Sequence, residues 1–166
     1  MKLTIKAIKR IITRFEPRTV KEFAKFGLTL KHIGSGGYRK AYEIVGYGLI
    51  IKIPITGDEN LGYDQSDADH SRTEWNAYRK IKLRAKYKKL KPYLPKIYLC
   101  SNEGIILMKK YSRSEYAPYK KEFQQIKKTF RSFIKSKSYD IKWYNIRVNS
   151  KGKLKIIDLG RFSEEL

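Results

Sequence analysis

The chain has 166 residues and a mass of 19.6 kDa, about one domain, a size at which roughly 70% of the unfolded chain's surface can be buried. Its composition, 41% hydrophobic, 13% aromatic and 33% charged, is too rich in large apolar residues for a disordered chain. With a mean hydropathy of −0.60 it has no apolar run near the ~18 residues that cross a bilayer, so no membrane span is expected. Cys100 is the sole cysteine, which excludes an internal disulfide and a Cys-rich zinc site and fits a reducing, cytoplasmic setting. The net charge of +22 exceeds what solubility needs and points to a polyanion as partner. It is uneven: +7 over residues 1–33, −3 over 34–77, +16 over 78–137 and +2 over 138–166.

Met1, Ile5, Ile8, Ile12 and Phe15 recur at steps of four and three, which predicts a helix with one apolar face and a basic remainder. Docking on its own domain is favoured over a membrane-surface or transit role. Pro17 ends this helix. Thr19 and Glu22 have the spacing of a capping box that opens a second short helix, stopping near Gly27. Residues 1–27 are therefore expected to be a helical extension to a domain over 28–166.

From Leu28 the texture becomes β-rich. Strands are expected over 28–33, 40–45 and 49–55, broken by Gly34-Ser35-Gly36-Gly37 and Gly46-Tyr47-Gly48. An acidic polar loop at 56–70 precedes a basic helix expected over 71–90, closed by Pro92 and Pro95. A hairpin over 96–108 follows, then a helix over 117–136 with Phe123, Ile126, Phe130 and Phe133 on one face. Strands at 144–148 and 154–157, joined by Asn149-Ser150-Lys151-Gly152, suit a last hairpin.

In chain order the sequence presents a Gly-rich strand turn, Lys52 within Ile50-Ile51-Lys52-Ile53, Glu74 on the next helix, Asp140-Ile141-Lys142-Trp143-Tyr144-Asn145, and Ile156-Ile157-Asp158-Leu159-Gly160. This order resembles the protein-kinase-like fold over about residues 28–162. The resemblance implies an α+β architecture: an N-terminal lobe and hinge over 28–111, with an antiparallel sheet and one main helix, and a much reduced C-terminal lobe over 112–166. Compact kinase-like proteins of this outline are expected in bacteria and their phages.

A nucleoside triphosphate brings about four negative charges, which call for close backbone N–H donors, a fixed cation and a metal held by oxygen ligands. Gly34, Gly36 and Gly37 would let the backbone approach the phosphates. Lys52 would reach them from an apolar wall, held by Glu74, while Asn145 and Asp158 offer the hard oxygens that Mg²⁺ prefers. Asp140 would take or orient the proton of the attacking hydroxyl. By resemblance Lys142 would sit beside the transferred phosphoryl group, and Met108 would back the adenine pocket. Lys109 to Tyr111 would be the hinge whose backbone pairs with the base, and Ile33, Ala41 and Ile157 would be pocket walls. ATP and Mg²⁺ are thus the expected cofactors.

Singly, each feature has an ordinary reading: a hairpin turn for the glycines, an edge lysine for Lys52, a solvated charge for Glu74 and turn residues for Asp140 and Asn145. Their joint order carries the resemblance. Departures matter too: Arg39 replaces the third glycine of the loop, Ser138 and Tyr139 replace the usual His-Arg before the catalytic Asp, and only six residues follow Gly160. No platform for a peptide substrate is therefore expected. The alternative function is a kinase-like nucleotide-binding or pseudokinase module that docks on a polyanion. For that, residues 79–91 place eight cations in thirteen positions with no acid, interleaved with tyrosines, a pattern that suits non-specific nucleic acid or an acidic protein as much as a solvated face.

Overall fold

A computed structural model describes residues 2–55, 65–133 and 141–159. Among these residues the fold is α+β, with a five-stranded antiparallel sheet and four α-helices. Contacts divide the chain into two compact units, Met1–Arg72 with Lys96–Lys110, and Thr73–Pro95 with Tyr111–Leu166.

The first unit opens with α1 (Ile5–Phe15), whose N-cap Thr4 accepts a hydrogen bond from the Ala7 N–H. Helix α2 (Val20–Ala24) starts on the expected capping box of Thr19 and Glu22. It ends when the N–H groups of Gly27 and Leu28 donate to the carbonyls of Ala24 and Phe23, with Gly27 in the left-handed conformation, φ +73°. Strands β1 (Leu30–Ser35), β2 (Arg39–Ile44), β3 (Leu49–Pro54), β4 (Ile97–Cys100) and β5 (Ile106–Lys109) form the sheet in the order β1-β2-β3-β5-β4.

Residues paired across antiparallel strands share a face, so register sorts the side chains. One face presents Ile44, Leu49, Ile51, Ile53 and Leu107 to Ile8 and Ile12 of α1 and to Phe23 and Leu28, in a single buried cluster. The apolar stripe of α1 is thereby docked on its own sheet, the favoured expectation for that helix. Full burial of each Ile contributes about 1.5–3 kcal/mol. Ile5 and Phe15, at the ends of the stripe, stay exposed.

Helix α3 (Gln65–Leu83) starts before the expected Ser71 and stops seven residues before Leu90. Arg84 is extended, and the chain continues as two single 3-10 turns, Ala85–Tyr87 and Lys91–Tyr93. The departure has a packing cause in the second unit. Tyr87 and Leu90 are buried, Tyr87 packs edge-on against Phe133, and Tyr93 lies against Phe130. The expected helix over 117–136 becomes a 3-10 turn at Ala117–Tyr119 followed by α4 (Lys120–Arg131), which buries Phe123, Ile126 and Phe130. The hairpin of β6 (Ile146–Val148) and β7 (Leu154–Ile156) completes this unit, with Gly152 at φ +71° in its turn.

Two substitutions test these packing claims. Ile12→Ala is expected to cost about 2–5 kcal/mol in denaturant unfolding, whereas a helix serving only a membrane or a transport step would leave global stability unchanged. Gly104→Ala is expected to cost more than about 1 kcal/mol, because Gly104 has φ +73° and a Cβ there would stand 2.8 Å from the Ala68 Cα.

Candidate functional site

The sequence-derived candidates fall into one group on each unit. In the first unit the register aligns Gly34 with Ala41, Ala41 with Lys52, and Lys52 with Ile106. These four residues form a row across four strands, on the face opposite the α1 cluster. Glu43, Ile50 and Met108 form the parallel row two residues away. Lys52 is 8% exposed, and Ile106 and Met108 are buried. A β-bulge between His32 and Gly34 takes Ile33 out of register and leaves it 38% exposed.

The turn after β1 is closed by the Gly36 N–H donating to the Arg39 carbonyl at 2.8 Å. None of Gly34, Gly36 and Gly37 has a positive φ. A Cβ at Gly34 or Gly37 would meet no atom within 4 Å, and one at Gly36 only the Arg39 carbonyl at 3.8 Å. Neither backbone conformation nor packing therefore demands glycine at these three positions. A turn without Cβ atoms beside a buried cation fits the close approach of an anionic ligand to backbone N–H groups.

At the expected hinge, the Lys109 N–H donates to the Lys96 carbonyl and the Lys110 N–H to the Gly48 carbonyl, both at 2.9 Å. Neither can donate to a base, so base pairing along 109–111 has only the remaining groups of this segment. The chain passes from the first unit to the second between Lys110 and Tyr111. Lys110 also pairs with Glu43 at 2.6 Å.

In the second unit Glu74 is fully buried, in the α3 stripe that runs through Ala77, Tyr78 and Ile81. A carboxylate in such a stripe costs several kcal/mol unless it is paired, which separates it from an ordinary solvated helix charge. Lys142 is exposed and precedes the 3-10 turn Trp143–Asn145. Trp143 anchors that turn, with its ring 5.2 Å from Tyr116 and 5.3 Å from Phe123. The Ile157 N–H then donates to the Asn145 carbonyl at 2.8 Å, extending the hairpin by one pair. Asn145 is thereby aligned with Ile157 at the open end, and Asp158, half-buried like Asn145, follows one residue further along the chain. Asp140 and Gly160 lie outside the described residues.

One amide oxygen and one carboxylate suit Mg²⁺, which takes one or two carboxylates and fills its octahedron with water and substrate phosphates. Among the described residues no three His, Cys, Asp or Glu side chains gather as a metal cage. His32 shares a hydrogen bond with Ser35 Oγ at 2.9 Å, and His70 stacks on Tyr38 at 3.6 Å. Both histidines thus have structural company.

Sequence reading passed over a cationic group on the same hairpin. Arg147 pairs with Lys155 across β6 and β7, and burial pushes the pKa of each below its usual range, with Arg113 adding to the effect on Arg147. The signal was present as alternation, since Ile146, Val148, Leu154 and Ile156 are apolar and the residues between them are not. It becomes readable only once the register is known.

Compared with family models and with curated proteins, the chain matches none.

If the turn glycines serve a ligand and not the fold, Gly34→Ala and Gly37→Ala are each expected to lower stability by less than about 0.5 kcal/mol in chemical denaturation. A larger loss at either position would assign that glycine to the fold.

Proposed function

We propose that the protein is an ATP- and Mg²⁺-dependent phosphotransferase of the protein-kinase-like type. The observation that carries this reading is the Gly34–Ala41–Lys52 row, which places a glycine turn free of internal demands in register with a buried lysine on the third strand. Support comes from the helix that follows β3 with a buried Glu74, and from the hairpin end where Asn145 is bonded to Ile157, the residue before Asp158. In this reading the turn's N–H groups other than that of Gly36, together with Lys52, would hold the phosphates, and Glu74 has the part that the kinase-like resemblance gives to the helix carboxylate. The oxygens of Asn145 and Asp158 hold Mg²⁺, which when bound neutralises charge on the phosphate oxygens. Asp140 takes the proton of an acceptor hydroxyl as its oxygen bonds to the γ-phosphorus, and ADP leaves with the electrons of the broken P–O bond. Lys142 would steady the transferred group.

A second reading, a docking module for nucleic acid, is favoured by one observation. Arg84, Lys86, Lys88 and Lys89 are all exposed and make no ion pair among the described residues, while the interleaved Tyr87 and Leu90 are buried. The tyrosine expected to stack on bases at position 87 is thus committed to the core. What remains is a face for phosphates alone.

Two measurements separate the readings. Saturation with ATP and Mg²⁺ at 100 times Kd is expected to stabilise the protein by about 2.7 kcal/mol, with the effect lost in Lys52→Met and Asp158→Asn, and wild type is expected to transfer the γ-phosphate while Asp140→Ala does not. Absence of both the shift and the transfer would refute the enzyme reading. For the docking module, single-stranded nucleic acid should bind with a log–log salt slope of about −0.7 per neutralised phosphate, flattened when Lys86, Lys88 and Lys89 are changed to Glu. An unchanged slope would make residues 84–91 a merely solvated face.

A further inference from the structure

The β6–β7 hairpin has one apolar face and one cationic face. Ile146, Val148, Leu154 and Ile156 are buried on the first. Arg147 and Lys155 stand directly opposite each other on the second, both half-buried. Ser112 pairs with Val148 on the other edge of β6, through N–H donations in both directions at 3.0 and 2.9 Å. Arg113 follows the bridged Ser112 and lies close enough to Arg147 for their like charges to repel, so three cations, Arg113, Arg147 and Lys155, gather on three adjacent backbone segments.

Like charges directly opposite each other in a sheet are destabilising, and withdrawing them from water adds to the cost. No carboxylate offsets either effect among the described residues. Glu122 reaches the hairpin only at the Leu154 N–H, 3.5 Å away, and Glu115 is exposed and bonded to none of the three. The cations are instead held by backbone carbonyls. Arg147 Nη1 donates to the carbonyls of Tyr144 and Ile146 at 2.9 and 2.6 Å, and Lys155 Nζ donates to the Pro92 carbonyl. Such tethers fix where the charges sit without neutralising them. They leave Nε and Nη2 of Arg147, a fork suited to phosphate oxygens.

We propose that Arg113, Arg147 and Lys155 form a binding site for the phosphate group of a small ligand. Arg147 and Lys155, on neighbouring strands about 4.8 Å apart, are spaced to grip one phosphate group or a diphosphate between them. The half-burial of Arg147 and Lys155, against the full exposure of Lys86, Lys88 and Lys89, separates the group from the surface run. The site goes beyond the proposed transfer reaction and does not require it.

Inorganic pyrophosphate without Mg²⁺, titrated calorimetrically in a low-ionic-strength chloride buffer, is the direct probe. Wild type is expected to bind it, and Arg147→Gln and Lys155→Gln are each expected to weaken binding about tenfold or more, as for loss of a charged hydrogen-bond partner. Arg113→Gln, at an exposed position that makes no hydrogen bond the fold needs, keeps the test decisive should either of those variants fail to fold, and is expected to weaken binding several-fold. The hairpin variants are compared in a Lys52→Met background, which removes the phosphate contact of the proposed transfer site. There too pyrophosphate is expected to bind and to be lost with Arg147 or Lys155, so the site can stand where the transfer reaction fails, and can fail where that reaction stands. The triple change of Lys86, Lys88 and Lys89 to Gln is likewise expected to leave binding unchanged. No binding by wild type, binding that survives Arg113→Gln together with whichever hairpin variants fold, or equal loss in the surface triple would each overturn the proposal.

Discussion

The pairing of β2 with β3 is the constraint on which the rest of the first unit depends. Six consecutive pairs, from Arg39–Pro54 to Ile44–Leu49, run without a bulge. A slip of one residue would turn Lys52 into the cluster of Ile8, Ile12 and Phe23 and bring Ile51 and Ile53 out of it. Burying a lysine there unpaired costs far more than the loss of a few sheet hydrogen bonds, so the apolar cluster and the cation enforce the same register from opposite faces. Helix α1 is part of that enforcement because its two buried isoleucines reward one register only.

The same logic governs the hairpin of the second unit at smaller scale. Four buried apolar side chains on one face of three-residue strands leave the alternate positions no freedom, and those positions hold Arg147 and Lys155. The Ile157 N–H to Asn145 carbonyl bond extends the ladder by one pair and thereby holds Asn145 opposite the residue that precedes Asp158. Trp143 among Tyr116, Tyr119 and Phe123 prevents the short turn before β6 from swinging away. An aromatic anchor beside a three-residue 3-10 turn does for Asn145 what a longer helix would do by hydrogen bonding alone.

Much of this was legible in the sequence wherever local chemistry decides the outcome. The Thr19–Glu22 capping box, the α1 stripe and the five strands of the main sheet follow from spacing and turn residues. What was not legible depends on distant partners. Residues 84–90 have helical composition, yet Tyr87 packs on Phe133, more than forty positions away, and the helix stops at Leu83. Ile33 reads as a strand residue and sits in a bulge, and the commitment of the Lys109 and Lys110 N–H groups depends on Lys96 and Gly48. Of the candidate site, Lys52 was legible as a charge in apolar surroundings, whereas Glu74 stood out only by its place in the motif order and its burial was not legible. The group of Arg113, Arg147 and Lys155 was not, because three residues from three segments become neighbours only through pairing.

Glycine draws the last distinction between fold and site. At Gly27, Gly46, Gly48, Gly104 and Gly152 the backbone takes φ between +63° and +80°, where any side chain is strained. Those residues serve the chain itself. Gly34, Gly36 and Gly37 have ordinary φ and open surroundings, yet glycine carries the largest conformational entropy loss on folding of any residue. Three such residues in four positions make the turn costlier to order than alanine would, with no return from packing. A cost that folding does not offset locally is what the proposed reading explains, since a phosphate held at this turn beside the buried Lys52 would need backbone without Cβ atoms.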